Sequence, residues 1–159
     1  AYSFALTRDE PNRCNRALAQ EVRRIVAAEK DPVTVVAQWE IARALEPGEY
    51  AHSVELPGDG SYLGSEEVTA EAGRIFREKG VTHVIPVAQP FLQLSKVRTL
   101  VKKAGFRVLP RKVHRIGFEP RSLQWWTRGP ILLFIYALMQ VPKVFLHPGL
   151  AKKKRRQQV

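Results

Sequence analysis

The chain has 159 residues, 45% of them apolar and 26% charged, and a formal net charge of +11. That length suits one hydrophobic core rather than two, and the spread of apolar residues excludes wholesale disorder. The single cysteine, Cys14, excludes an internal disulfide and any zinc site built from several cysteines.

The first residues, AYSFALTRDE, lack the basic start and unbroken apolar stretch of a signal peptide. From Asn12 to Lys30, Leu18, Val22, Ile25 and Val26 fall on one helical face, with Asn12 or Asn15 as cap, and Asp31-Pro32 ends the pattern. Val33 to Ala37 is short, β-branched and apolar, the pattern of a strand covered on both faces. Gln38-Trp39-Glu40 opens a short helical segment to Leu45, and a second strand is predicted over Ala51 to Leu56. After the turn Pro57-Gly58-Asp59-Gly60, Ser65 is placed to cap a helix. Glu66 and Glu67 complement its dipole, Val68, Ala72, Ile75 and Phe76 form its stripe, and Lys79-Gly80 ends it.

Val81 to Ala88 reads as the clearest strand, with Pro86 marking an edge, a bulge or the end of pairing. A helix from Leu92 to Ala104, closed by Gly105, leads to a last strand over Phe106 to Leu109. Beyond Pro110 the chain turns basic and aromatic. An apolar helix follows from Ile131, with a stop predicted at Pro142, and its apolar run is too short to span a bilayer. Residues 151–159 hold Lys152, Lys153, Lys154, Arg155 and Arg156, expected to form a disordered basic tail. Strands alternating with helices of this length predict an α/β domain over residues 1–150. Its expected form is three-layered and Rossmann-like, with a short, mainly parallel sheet flanked by helices.

Charge is divided sharply along the chain. Residues 1–95 carry 10 basic and 14 acidic side chains, a balance of −4, whereas residues 96–159 carry 16 basic and one acidic, a balance of +15. Such polarity attracts polyanions in a salt-dependent way and does not by itself choose among them. The unpaired thiol fits a reducing compartment, so the expected location is cytoplasmic, with the alternative of attachment to a membrane surface.

The segment YLGSEEVTAEAGRIFREKGVTHVIPVAQPFLQLSKVRTLVKKAGFRVLP, together with VVAQWEIARAL, resembles the YdcF/SanA/ElyC-like family. In both, a Ser-Glu helix start leads into a strand, and the strand's turn opens a helix closed by Ala-Gly-Phe. The resemblance implies a cleft at the carboxyl ends of the strands, S-adenosylmethionine as a candidate ligand, and a link to cell-envelope functions. Gln93 stands where the family places His, Lys96 where Arg is usual, and Gln38-Trp39-Glu40 replaces a glycine-rich turn. Gln cannot exchange protons at neutral pH, Lys lacks a planar fork for anions, and no phosphate cradle is evident.

The candidate ligand-binding residues are Gln38, Glu40, Ser65, Glu66, Gln93, Lys96, Gln124 and Trp125. Glu40 suits a ribose hydroxyl or an amine, Lys96 a phosphate or carboxylate, and Trp125 stacking. Each has a plainer structural role beside the functional one: helix capping for Ser65 and Glu66, a solvated lysine for Lys96, and packing of the last helix for Trp125. The function expected is binding of a nucleotide-like or anionic small molecule, with enzymatic activity left open. The alternative is a non-enzymatic module that binds nucleic acid or an anionic surface through Lys102, Lys103, Arg111, Lys112 and the tail. The four histidines show no spacing that pairs them as metal ligands, and no nucleophile elbow of the G-x-S-x-G type exists.

Overall fold

The computed structural model describes residues 1–56, 58, 63–91 and 93–146, with backbone alone for 140–146. The predicted basic tail over 151–159, most of the 57–60 turn, Tyr62 and Leu92 lie outside the described residues. The elements run α1 (Arg13–Ala28), β1 (Val36–Gln38), α2 (Trp39–Ala42), β2 (His52–Val54), α3 (Ser65–Glu78), β3 (His83–Val84), α4 (Gln93–Lys103), β4 (Arg107–Val108), a 3-10 turn (Trp125–Thr127) and α5 (Pro130–Leu146).

Local chemistry accounts for most of these boundaries. Asn12 caps α1, its Oδ1 accepting the amides of Cys14 and Asn15 at 2.9 and 3.0 Å. Leu18, Val22 and Ile25 bury the predicted stripe. Helix α3 starts one residue earlier than capping by Ser65 requires: the cap is Gly64, which supplies no side-chain bond, and Ser65 is the first helical residue. Its stripe of Val68, Ala72 and Ile75 is buried, and Phe76 meets Phe106 edge-on at 5.8 Å. Gly80 and Gly105 follow α3 and α4 with φ of +67° and +93°, the left-handed region that glycine enters without a Cβ clash.

The fold is mixed α/β, with parallel strand pairing. β1 pairs with β2 in the register Val36 to His52, and β3 pairs with β4 in the register His83 to Arg107, both parallel. The strands are shorter than the sequence predicts. β3 holds only two of the eight residues from Val81 to Ala88, and Pro86, without an amide donor, follows closely on its end.

Residues that the sequence reading left unassigned lie between the two pairs. The Ala1 nitrogen donates to the Val36 carbonyl (2.5 Å) and the Ala1 carbonyl accepts from Gln38 (3.0 Å). Bonding to two residues two apart on one neighbour is the parallel pattern. On the other side the Tyr2 amide donates to the Val87 carbonyl at 2.9 Å. Tyr2 and Phe4 are buried in the core, and the Tyr2 hydroxyl meets Thr69 Oγ1 of α3 at 2.9 Å.

Residues 110–129 contain no helix or strand apart from the 3-10 turn, yet they are tied down. Glu21 of α1 accepts from the His114 amide (3.0 Å), and its other oxygen lies 2.8 Å from His114 Nδ1. Ser122 Oγ donates to the Leu6 carbonyl (3.1 Å) and accepts from Thr127 Oγ1 (2.7 Å). Helix α5 continues past Pro142, where the sequence predicted a stop. A proline removes one amide donor and bends a helix without having to end it. No helix among the described residues is long and apolar enough to cross a membrane.

Candidate functional site

The carboxyl end of β1 and the extended residues 1–4 meet in a polar notch. Gln38, the last residue of β1, accepts the Ser3 amide on Oε1 at 3.1 Å. Two residues on, in α2, Glu40 Oε1 accepts from Ser3 Oγ (3.1 Å) and from Gln38 Nε2 (3.4 Å). Glu40 is only 4% exposed, and its second oxygen, Oε2, is buried with no hydrogen-bond partner among the described residues. Burial pushes this carboxyl up to about 7, against the opposing pull of its own backbone amide and of Ser3. A buried polar atom left unpaired costs free energy that packing alone does not return.

Glu40 is among the residues that line a cavity of about 50 Å³, together with Ser3, Ala5, Leu6, Gln38, Leu56, Leu63 and Gln124. The space admits a few water-sized groups and not a whole nucleoside. A carboxyl titrating near neutrality in such a place can accept a hydrogen bond from a hydroxyl or amine, and can take up or release a proton at working pH.

The turn from residue 5 into α1 forms the next wall. Glu10 organises it, accepting from the Thr7 amide (2.7 Å), the Asn12 amide (2.8 Å) and the side-chain nitrogens of Asn12 (2.9 Å) and Asn15 (3.0 Å). Ala5 has φ of +67°, and it is the one non-glycine residue in the left-handed region among the described residues. Ala5→Gly should change stability by less than about 1 kcal/mol, because relief of that strain offsets the greater freedom of glycine in the unfolded chain. Ala5→Val should cost about 2 kcal/mol, since a β-branched side chain fits this backbone poorly. Urea unfolding of the two variants checks the contrast, and equal losses would deny that backbone strain governs the position.

The predicted site residues fall into separate groups. Gln38, Glu40 and Gln124 share the notch. Gln93 is adjacent through the chain start: its Nε2 donates to the Ser3 carbonyl (2.7 Å) and its Oε1 accepts the Gln89 amide (3.1 Å). Both ends of that amide are therefore engaged, one tying α4 to Ser3 and the other closing the turn that enters the helix. Lys96 of α4 pairs with Glu66 of α3 at 3.0 Å, and both side chains are more than half exposed. Such a pair contributes under about 1 kcal/mol, so Lys96 can exchange it for a ligand's anion at little cost. The Ser65 carbonyl accepts from Thr69 Oγ1 (2.6 Å), a purely helical role.

Trp125 stands edge-on to Trp126 and Tyr136, with ring centroids 6.0 Å from each, in the cluster that seats α5. Among the proposed anionic-surface contacts, Lys102 and Lys103 end α4 and are exposed, as is Lys112. Arg111 is engaged by Glu29 at 2.7 Å. Lys152, Lys153, Lys154, Arg155 and Arg156 lie outside the described residues. Cys14 is fully buried, and burial pushes its thiol up to about 11, which suits a core residue rather than a nucleophile.

Ser3, Ala5, Leu6, Leu56 and Leu63 complete the notch without having been singled out from the sequence. The alternating apolar AYSFAL, with Tyr2 and Phe4 on the buried side, was the available signal for the first three. A larger cavity of about 400 Å³ is lined chiefly by apolar side chains such as Val22, Ile25, Val68 and Phe76. None of the predicted site residues that the structure describes borders it. No protein-family model, curated protein or solved structure matches the chain.

Proposed function

We propose that residues 1–150 form a Rossmann-like, three-layer α/β domain related to the YdcF/SanA/ElyC-like proteins, and that the notch at Glu40 binds the hydroxyl-bearing edge of a nucleoside-like ligand. The hydrogen bonds of Ala1 and Tyr2 support reading residues 1–4 as a central strand between β1 and the segment that continues β3. The order then runs β2, β1, residues 1–4, β3, β4. In chain order the strands are arranged 3-2-1-4-5, a doubly wound sequence. In dinucleotide-binding sheets of this kind an acidic residue after the second strand takes the ribose hydroxyls, and Glu40 occupies that place.

The observation that carries the proposal is a buried carboxyl, Glu40, with one oxygen unpartnered among the described residues, in the wall of a small cavity that also holds Ser3, Gln38 and Gln124. The cavity takes only the hydroxyl edge, so the base and any anionic end remain outside it, with Lys96 as the candidate cation for a phosphate or carboxylate. S-adenosylmethionine and adenosine nucleotides fit this division.

Thermal unfolding with adenosine, AMP, S-adenosylmethionine and ribose 5-phosphate tests the reading. A ligand that prefers the native state at a hundred times its Kd adds about 2.7 kcal/mol, a rise of several degrees for a chain of this size. The rise should vanish in Glu40→Ala and with 2′,3′-dideoxyadenosine in place of adenosine. No rise with any of the four compounds, or equal rises with and without the ribose hydroxyls, would remove the proposal.

A further inference from the structure

Helix α5 has two unlike sides. One is seated on the body of the protein: Leu133 is buried, and Tyr136 stacks on Trp126 with centroids 4.7 Å apart and planes 16° from parallel. The other carries Ile131, Phe134, Ile135, Leu138 and Met139, all between 42% and 74% exposed. Their offsets of 0, 3, 4, 7 and 8 positions place them on one helical face. Leu123 and Trp125, just ahead of the helix, are exposed as well. A contiguous apolar face of this extent is uncommon on a protein surface that meets only water.

The charge of the surrounding sequence narrows the occupant. From residue 120 to the last residue there are eight Lys and Arg and no Asp or Glu. An isologous dimer through this face would cover the apolar side chains and leave these basic residues without a counter-charge. Nucleic acid satisfies the charges and offers nothing to cover five apolar side chains. An anionic bilayer meets both needs, with acyl chains for the apolar face and lipid phosphates for the basic residues. The helix has 17 residues, about 25 Å at 1.5 Å per residue, which is shorter than the hydrocarbon core and consistent with lying in the interface plane.

We propose that α5 docks the protein onto an anionic membrane surface, its Ile131–Met139 face immersed at the headgroup boundary and the following basic residues drawn to anionic lipid. This does not depend on what the Glu40 notch binds.

The test is co-sedimentation of the full chain with phosphatidylcholine vesicles containing roughly one-third phosphatidylglycerol, against vesicles of phosphatidylcholine alone. Binding should require the anionic lipid, fall with added salt, and shift the tryptophan emission to shorter wavelength. The triple variant Ile131→Ser, Phe134→Ser, Leu138→Ser should bind at least about tenfold more weakly while keeping the wild-type unfolding midpoint, because those side chains are exposed in the folded protein. Replacing Lys152, Lys153, Lys154, Arg155 and Arg156 by glutamine should weaken binding by about tenfold or more with α5 untouched. The proposal is overturned if the triple variant binds vesicles as well as the wild type, or if the wild type does not bind anionic vesicles. It is equally overturned if the wild type is a lipid-free dimer that the triple variant dissociates, since a second copy would then cover the face.

Discussion

Glu40→Gln is expected to leave stability almost unchanged at pH 4 and to raise it by about 3 kcal/mol at pH 8. Burial lifts the folded-state carboxyl to about 7 from the ordinary 4.5. Below pH 4.5 the group is protonated whether the chain is folded or not, and it sets no preference between the two states. As pH rises from 4.5 toward 7 the unfolded chain releases this proton while the folded chain retains it, so the folded state loses ground progressively and the loss levels off above 7. Glutamine has nearly the same shape, still offers an oxygen to Ser3 and Gln38, and carries no proton to lose. The gain should appear as a midpoint about 6–12 °C higher at pH 8 for a domain of this length. Unfolding scans across pH 4 to 8 check it, and a difference that does not grow with pH would mean that the carboxyl is not desolvated as described. A residue kept at such a cost is what the stability and activity trade-off predicts for a functional group, so the same variant should lose the ligand effect while gaining stability.

Glu21 titrates in the opposite sense, and its removal should be the more damaging. The hydrogen bonds of Arg24 and of the His114 backbone and ring outweigh the penalty of its burial and hold its carboxyl down at about 2. A depressed carboxyl stabilises the fold above its unfolded value and ceases to do so as pH falls through the folded one. Glu21→Ala should therefore cost about 3 kcal/mol at pH 7 and about 1 kcal/mol at pH 3. Arg24 is the strongest single pull on this carboxyl, although its side chain is 41% exposed and solvent screens part of that contribution. The other loss is the anchor that holds residues 113 and 114 against α1, where the His114 amide would be left without its acceptor. Urea unfolding at the two pH values measures both numbers. Equal losses at pH 7 and pH 3 would assign the effect to packing instead of charge.

Glu21 and Glu40 also show how unevenly a sequence discloses its chemistry. Each is a glutamate in a helix; Arg24, three residues on, is a local hint that the Glu21 carboxyl is pulled down, whereas nothing near Glu40 in sequence announces that its carboxyl is pushed up. Glu21 acquires its partner from 93 residues away and Glu40 from 37. Gln38 ends β1 and Glu40 lies two residues past it, as the sequence predicts, because a β-branched apolar run that gives way to polar residues is a local pattern. That Ser3 would close the notch, and that Oε2 would be left without a partner, depends on residues 1–4 lying between β1 and Val87, which is a property of distant segments.

Periodicity and punctuation are written over a turn or two of chain, and they determined where α1, α3 and α4 lie, which faces those helices bury, and that parallel pairing of short strands would join them. Only the tertiary structure decided that the first residues would bridge the two strand pairs, that Lys96 would meet Glu66, and that α5 would bury Leu133 while leaving Ile131, Phe134 and Leu138 in the open. The apolar run of α5 reads the same whether a core, a partner or a membrane covers it. Helical spacing records which side chains share a face, but the free energy of covering that face depends on surfaces brought to it from elsewhere.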